Sequence, residues 1–99
     1  MINIVSGYGK PAGSTLAQSS KVAKVSFTGS ANTGRAIMTD AAQSNFKKVT
    51  LELGGKSPII VCEDADLDEA VEKAHGAIFF HSGQVCIATS RVFVQYEEL

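Results

Sequence analysis

Apolar and polar positions change their period several times along this 99-residue chain, and each change predicts an element. Lys24-Val25-Ser26-Phe27-Thr28 alternates and reads as a strand. After a break at Gly29, Ser30 is placed to N-cap a helix. Gly34, Ile37, Met38, Ala41 and Ala42 recur along one face of it until fraying near Ser44-Asn45. Lys48 to Leu53 alternates again. Val49, Leu51 and Leu53 face one way and Thr50 and Glu52 the other, so this strand delivers the Glu52 carboxylate on the face opposite the apolar one. Pro58-Ile59-Ile60-Val61-Cys62 is apolar on both faces, the pattern of a buried parallel strand, and makes Cys62 a small buried hydrophobe. Asp66 followed by Glu69 then opens a helix carried by Leu67, Ala70, Val71, Ala74 and Ile78 up to Ser82-Gly83. Weaker signals predict a strand end at Asn3 to Val5, a turn through Gly7, Gly9, Pro11 and Gly13, a short helix over about Thr15 to Ser20, and a strand from Arg91 to Gln95.

Strands alternating with helices argue for an α/β layer architecture with parallel pairing. The Gly54-Gly55 turn joins two consecutive strands and reads as a crossing between two sheets rather than a tight hairpin. No internal repeat or low-complexity segment is visible.

Composition narrows the function classes. Charged residues make up 19% with a net charge of −1, so the chain lacks the basic stripe that neutralises phosphates along a nucleic acid. No apolar run approaches the ~20 residues that cross a bilayer, and Met1 to Gly7 lacks the charged start and long apolar stretch of a signal peptide. The reading is a soluble protein with no nucleic-acid or membrane partner. Cys62 and Cys86 are too few for a disulfide scaffold and form no Cys-x-x-Cys pair, which points to a reducing compartment, the cytoplasm. No cluster has zinc-ligand spacing, so no metal is expected. A chain of this size on its own buries only a little over ~60% of the surface its unfolded form exposes.

Two glycine-bounded stretches carry candidate chemistry. Gly29-Ser30-Ala31-Asn32-Thr33-Gly34 follows a strand and opens a helix, where free N–H groups and the positive end of the helix dipole meet an anion such as pyrophosphate; taken alone, the same pattern also serves as a plain capped turn. A P-loop is excluded, because Arg35-Ala36 follows Gly34, and Thr50 stands where the first glycine before Gly55-Lys56-Ser57 is required. Gly7-Tyr8-Gly9 with Gly13 misses the third glycine of a dinucleotide fingerprint by one position. Cys86 lies just beyond a helix among Gly83, Gln84 and Ala88, where the backbone can approach a substrate closely; the plain alternative is a small buried hydrophobe. Glu52 beside two glycines suits a partly desolvated general base, with a solvated strand carboxylate as the alternative. His75 falls between Glu72, Lys73 and the helix surface, which argues against a cysteine–histidine dyad.

Leu51-Glu52-Leu53-Gly54-Gly55-Lys56-Ser57-Pro58 and Gly83-Gln84-Val85-Cys86-Ile87-Ala88, in this order and at this separation, resemble the two active-site signatures of the NAD(P)-dependent aldehyde dehydrogenases, and the likeness runs from about Ile2 to Gln95. It implies a fragment of the aldehyde dehydrogenase fold, with parallel strands and flanking helices from two adjoining Rossmann-like sheets. Residues 1–53 become the C-terminal part of a dinucleotide-binding domain and residues 54–99 the N-terminal part of a catalytic domain. The resemblance further implies Cys86 as the nucleophile that forms a thiohemiacetal and then a thioester with an aldehyde. Glu52 is implied as the base that activates the hydrolytic water, and NAD or NADP as the hydride acceptor. Gly29, Ser30, Ala31, Asn32, Thr33 and Gly34 are carried over as cofactor-contacting residues, with Gly9 and Leu53 lining the cofactor cleft. Val85 stands where many relatives have a second cysteine.

The family's proteins are several times longer, so the resemblance makes the chain an internal piece. It lacks the oxyanion-hole asparagine, both ribose-binding residues and the oligomerisation strands through which full-length relatives form homo-oligomers. The expectation is an aldehyde dehydrogenase segment, inactive by itself, cytoplasmic or mitochondrial in its full-length form. A nucleotide-binding module and a non-catalytic truncated product are the alternatives.

Overall fold

The computed structural model describes residues 1–96. The chain divides into two compact units, Met1–Leu53 and Gly54–Leu99. In the first, a wide helical turn over Gly9–Gly13 leads into α1 (Ser14–Gln18), followed by β1 (Lys24–Thr28), α2 (Ala31–Ser44) and β2 (Lys48–Glu52). β1 and β2 pair in parallel, Lys24 opposite Lys48 through to Thr28 opposite Glu52. Both strands half-bury one face, Val25 and Phe27 on β1 and Val49 and Leu51 on β2, while the alternate residues are exposed. That is the alternation seen in the sequence.

Small side chains hold the helices close. Ala17 of α1 and Ala41 of α2 are the buried apolar residues of this unit, and Gly34 is buried where α2 crosses the sheet. A Cβ on Gly34 would lie 3.0 Å from Leu53 Cδ2 and 3.4 Å from Leu51 Cδ1, so glycine sets how closely the helix approaches β2. Lys47 is buried, and its ammonium donates to the Ala17 carbonyl and to Ser44 Oγ. A cation there meets the negative end of α1 and fills one of its open carbonyls. Asn45 Nδ2 adds bonds to the carbonyls of Ser20 (3.0 Å) and Val22 (3.3 Å).

In the second unit β3 (Pro58–Val61), α3 (Leu67–Phe79), a tight 3₁₀ turn over Phe80–Gly83 and β4 (Arg91–Val94) follow in order. β3 and β4 are parallel, Pro58 opposite Arg91 through to Val61 opposite Val94. The pairing extends to Gln95, whose N–H donates to the Val61 carbonyl at 2.8 Å, and Arg91 Nε donates to the Lys56 carbonyl at 2.9 Å. Asp66 caps α3 by accepting from the Glu69 N–H at 3.1 Å, and Ser30 caps α2 by accepting from the Thr33 N–H at 3.2 Å. Both caps stand where the sequence put them. Among the described residues, no helix is long and apolar enough to cross a membrane.

Three expectations fail. No strand forms at Asn3 to Val5, because a strand needs a partner to take its backbone groups and these residues have none among those described. β3 is not buried on both faces: Val61 is buried, but Ile60, Val92, Phe93 and Val94 are exposed, since among the described residues each strand has a single neighbour and neither face of the pair is fully covered. For the same reason Cys62, one residue beyond β3, is exposed rather than buried. α2 forms where the spacing placed it, and of its apolar face Gly34 and Ala41 are buried while Met38 and Ala42 are exposed.

Candidate functional site

In the first unit the chemistry collects at the carboxyl ends of β1 and β2. The two strand ends lie side by side in register, Thr28 opposite Glu52, and the Gly29 N–H donates to the Glu52 carbonyl at 3.0 Å. The glycine turn and the carboxylate-bearing residue are thus one hydrogen-bonded unit, at the edge where open α/β sheets bind ligands. A Cβ at Gly29 would lie 2.5 Å from Cζ of the Phe27 ring, so a larger residue there would have to displace that ring. Glu52 itself is exposed, so the desolvation expected of it is not made within this unit.

Not every N–H of the segment from Gly29 to Gly34 is free. Gly29 is bonded to Glu52, Thr33 to Ser30 Oγ and Gly34 to the Ser30 carbonyl. That leaves Ala31 and Asn32 as the first-turn donors of α2 without an intrahelical carbonyl to reach. The Ser30 hydroxyl shares a hydrogen bond with Thr33 Oγ1 at 2.9 Å, and Asn32 Oδ1 accepts from Arg35 at 3.2 Å. Beside this helix start lies a cavity of about 560 Å³, within the range of small-ligand sites. The turn before α1 forms one wall (Gly9, Lys10, Gly13, Ser14) and α2 the other (Asn32, Thr33, Ala36, Ile37, Asp40), with Phe27 between them. Gly9, Asn32 and Thr33 of the sequence-derived set therefore line the cavity. Leu53 does not; it packs on Gly34 under the helix.

The cavity also shows a group that the sequence did not single out. Asp40 Oδ2 accepts from Ser14 Oγ at 2.7 Å and Oδ1 from Gln18 Nε2 at 3.0 Å, while Gln18 Nε2 also reaches Ser14 Oγ at 3.0 Å. The Ser14 bond, then the Gln18 bond, hold the Asp40 carboxyl below its ordinary range, against a smaller opposing effect of desolvation. Ser14 and Gln18 stand at helical i, i+4 spacing, which was a legible signal; their meeting with Asp40 was not.

In the second unit the thiol sits on a sharply turned loop. His81, Ser82 and Gly83 have φ of 50°, 58° and 73°, three successive left-handed residues that end the helical run. The Gln84 N–H then donates to the His81 carbonyl at 3.1 Å and the Ala88 N–H to the Val85 carbonyl at 3.0 Å, a turn that encloses Cys86. Ala88 is buried, and the Thr89 N–H ties the loop back to the Ala77 carbonyl of α3 at 3.3 Å. Cys86 is exposed, open to a reactant. The Gly54-Gly55 stretch abuts it: a Cβ on Gly55 would lie 2.4 Å from the Cys86 carbonyl oxygen, so only glycine lets the two signature segments meet backbone to backbone. His75 meets Phe79 with its ring tilted at 48° and centroids 4.9 Å apart on the exposed side of α3, and His81 meets Phe80 edge-on at 5.0 Å.

The sequence profile described as the aldehyde dehydrogenase family matches residues 1–98. The chain belongs to the aldehyde dehydrogenase family. It is 56% identical over 95 residues to aldehyde dehydrogenase, cytosolic 1, of Rattus norvegicus, covering 96% of this chain and 19% of that protein. It is 61% identical over 94 residues to aldehyde dehydrogenase family 2 member B4, mitochondrial, of Arabidopsis thaliana, covering 95% of this chain and 18% of that protein. Among solved structures, the crystal structure of indole-3-acetaldehyde dehydrogenase complexed with NAD+ superposes with a TM-score of 0.86 at 48% identity, over 90% of this chain and 18% of that one. The chain spans about one fifth of the length of these aldehyde dehydrogenases, and its α/β fold of parallel strands with flanking helices is that of the matching part.

Proposed function

We propose that this chain carries the thiol and the general base of an NAD(P)-dependent aldehyde dehydrogenase, which oxidises an aldehyde to a carboxylic acid within a longer polypeptide. Residues 1–53 act as dinucleotide-binding structure and residues 54–99 as the thiol-bearing part of the catalytic domain. The observation that carries this reading is Cys86, exposed on a loop whose backbone is in contact with Gly55, in a chain of this family.

The residues of the first unit fit a dinucleotide. Two free N–H groups at the start of α2 suit a phosphate, Lys10 adds a cation to the cavity wall, and Phe27 and Ile37 offer apolar surface to a base. NAD(P)+, when bound, supplies the hydride acceptor. The Cys86 thiolate adds to the aldehyde carbonyl carbon, a C–S bond forms, and the π pair moves to oxygen as an oxyanion that backbone N–H groups can stabilise. Loss of hydride from that carbon leaves a thioester on Cys86. Glu52 takes a proton from water as the water oxygen attacks the thioester; the C–S bond breaks, the thiolate returns and the acid departs.

Transplanting residues 1–96 into a full-length relative tests the assignment. The chimaera is expected to reduce NAD+ with aldehydes, and Cys86→Ala to abolish this. Glu52→Gln should give one stoichiometric burst of NADH and a mass increase on the peptide containing Cys86, the trapped acyl group. Steady turnover by the Cys86→Ala chimaera would overturn the reading. A nucleotide-binding module remains the second reading, favoured by a cavity built wholly from residues 9–40; nucleotide binding by the 99-residue chain without aldehyde oxidation by the chimaera would select it.

A further inference from the structure

We propose that Arg91 is a positioning residue for the thiol: bonded to the Lys56 carbonyl, it holds Gly55 against the backbone of Cys86. The inference rests on the reading of Cys86 as nucleophile given above and adds to it the group that keeps the thiol loop in place. Gly54 and Gly55 have no side chains by which to anchor themselves, and glycine has the widest backbone freedom of any residue. The ladder between β3 and β4 cannot reach back through the N–H of Pro58, which opens β3 and has none. Arg91 Nε donates to the Lys56 carbonyl at 2.9 Å, and among the described residues Gly54, Gly55 and Lys56 make no other hydrogen bond. One side chain therefore ties this stretch to β4, one residue away from the position where a Cβ on Gly55 would collide with the Cys86 carbonyl oxygen.

The two contacts close a small ring of backbone. Gly55 and Lys56 are neighbours on one side, Cys86 and Arg91 lie on one short segment on the other, and Gly55 meets Cys86 while Lys56 is bonded to Arg91. Opening the ring at Arg91 frees Lys56, and with it the glycine that the Cys86 carbonyl packs against. The tie suits the task. A guanidinium donating to a carbonyl makes a charge-assisted bond, roughly twice as strong as a neutral one. The guanidinium carbon lies 5.7 Å from the centroid of the Phe93 ring, two residues along β4 and so on the same face of the strand, within reach of a cation–π contact that steadies the donor. If Arg91 served only to hold β3 to β4, its loss would remove folded protein and leave the rate of the remainder unchanged.

The chimaera carrying Glu52→Gln is the test, because the rate of its NADH burst reads attack by Cys86 and hydride loss without the hydrolysis that follows, and the burst amplitude counts folded sites. Arg91→Met keeps a long stem beside Phe93 and removes the donor; Arg91→Lys keeps a donor. At saturating aldehyde, Arg91→Met is expected to slow the burst about tenfold at unchanged amplitude, and Arg91→Lys to stay within about threefold of the parent. In a Gly55→Ala background, where the ring is already open, Arg91→Met is expected to change the rate by less than about twofold, since residues that act through one contact are not additive. An Arg91→Met burst at the parent rate, equal slowing by Met and Lys, the same loss in both backgrounds, or a fall in amplitude in place of rate each overturns the inference and leaves the role of Cys86 standing. No burst with Arg91 in place overturns the reading of Cys86 and Glu52, and this inference with it.

Discussion

Gly55→Ala tests the contact on which the geometry of the thiol loop depends. The new methyl carbon would lie 2.4 Å from the Cys86 carbonyl oxygen, whereas ordinary van der Waals contact begins at 3.4 Å, so the two backbones must separate by about 1.0 Å. The atom struck is backbone rather than the end of a flexible side chain, so relief moves the loop that carries the sulfur. A displacement of about 1 Å at a reacting group costs on the order of 10²-fold in rate, and the strain adds a stability loss of about 1–3 kcal/mol. Gly54 is the internal control, because nothing lies within 4 Å of a Cβ there. In the chimaera, Gly55→Ala is expected to lower kcat/KM for an aldehyde about 100-fold, with Gly54→Ala close to the parent. In the 99-residue chain, the alkylation rate of Cys86 by iodoacetamide should change for Gly55→Ala and not for Gly54→Ala. Equal kinetics for the two alanine variants would refute the argument that the Gly55 contact positions the thiol.

Three further outcomes are expected. Asp40 has a carboxyl held below the ordinary 3.8 by its bonds to Ser14 and Gln18, so its stabilising contribution is complete above the unfolded value and is lost as pH falls through the lower folded one; NMR from pH 6 to pH 2 should show the Ser14 and Gln18 resonances shifting below pH 4, and not in Asp40→Ala. Among the described residues, Thr89 Oγ1 is buried without a hydrogen-bond partner; Thr89→Val keeps the shape and removes the unsatisfied group, raising unfolding free energy in urea by about 1 kcal/mol. Ser82 has φ of 58°, a left-handed conformation that costs a residue with a Cβ roughly 1–2 kcal/mol; Ser82→Gly is expected to stabilise the second unit by somewhat less, because glycine also gains freedom when unfolded, as measured by thermal melting.

What was legible in the chain is what depends on neighbours in sequence. β1 and β2 follow an alternation that Val25, Phe27, Val49 and Leu51 display in either direction, and the caps at Ser30 and Asp66 are three-residue events. The catalytic candidates stood out because glycines flank them. Contacts between distant residues left no local trace: Ser14 meets Asp40 across 26 positions and Gln18 meets it across 22, and nothing around Gly55 says that the Cys86 carbonyl will occupy the place of its side chain. Burial of β3 and Cys62 failed for a different reason. An apolar pattern states what a strand could bury, and whether it does depends on how many neighbours it has, which for β3 is one among the described residues.

That single neighbour bears on activity through surface area. The chain exposes 8294 Å², where a folded monomer of 10.4 kDa is expected to expose about 5,400 Å² and two separate bodies of half that mass about 6,500 Å² in total. On either basis some 1,800–2,900 Å² is in excess, an amount from the upper end of standard-size interfaces into the range of obligate ones. Much of it is apolar: Ile60, Leu67, Val71, Phe79, Phe80, Val92, Phe93 and Val94 are all exposed in the second unit, and no large side chain among the described residues is fully buried. A thiol on such a support is held by few contacts, and a catalytic group needs its supporting shell locked to within about 0.5 Å. The 99-residue chain is therefore expected to bind a hydrophobic dye such as ANS strongly and to form no detectable NADH from aldehydes, whereas the chimaera binds little dye and turns over. Robust NADH formation by the isolated chain, abolished by Cys86→Ala, would show that two thinly covered strands suffice to position the sulfur and that the excess surface has no bearing on catalysis.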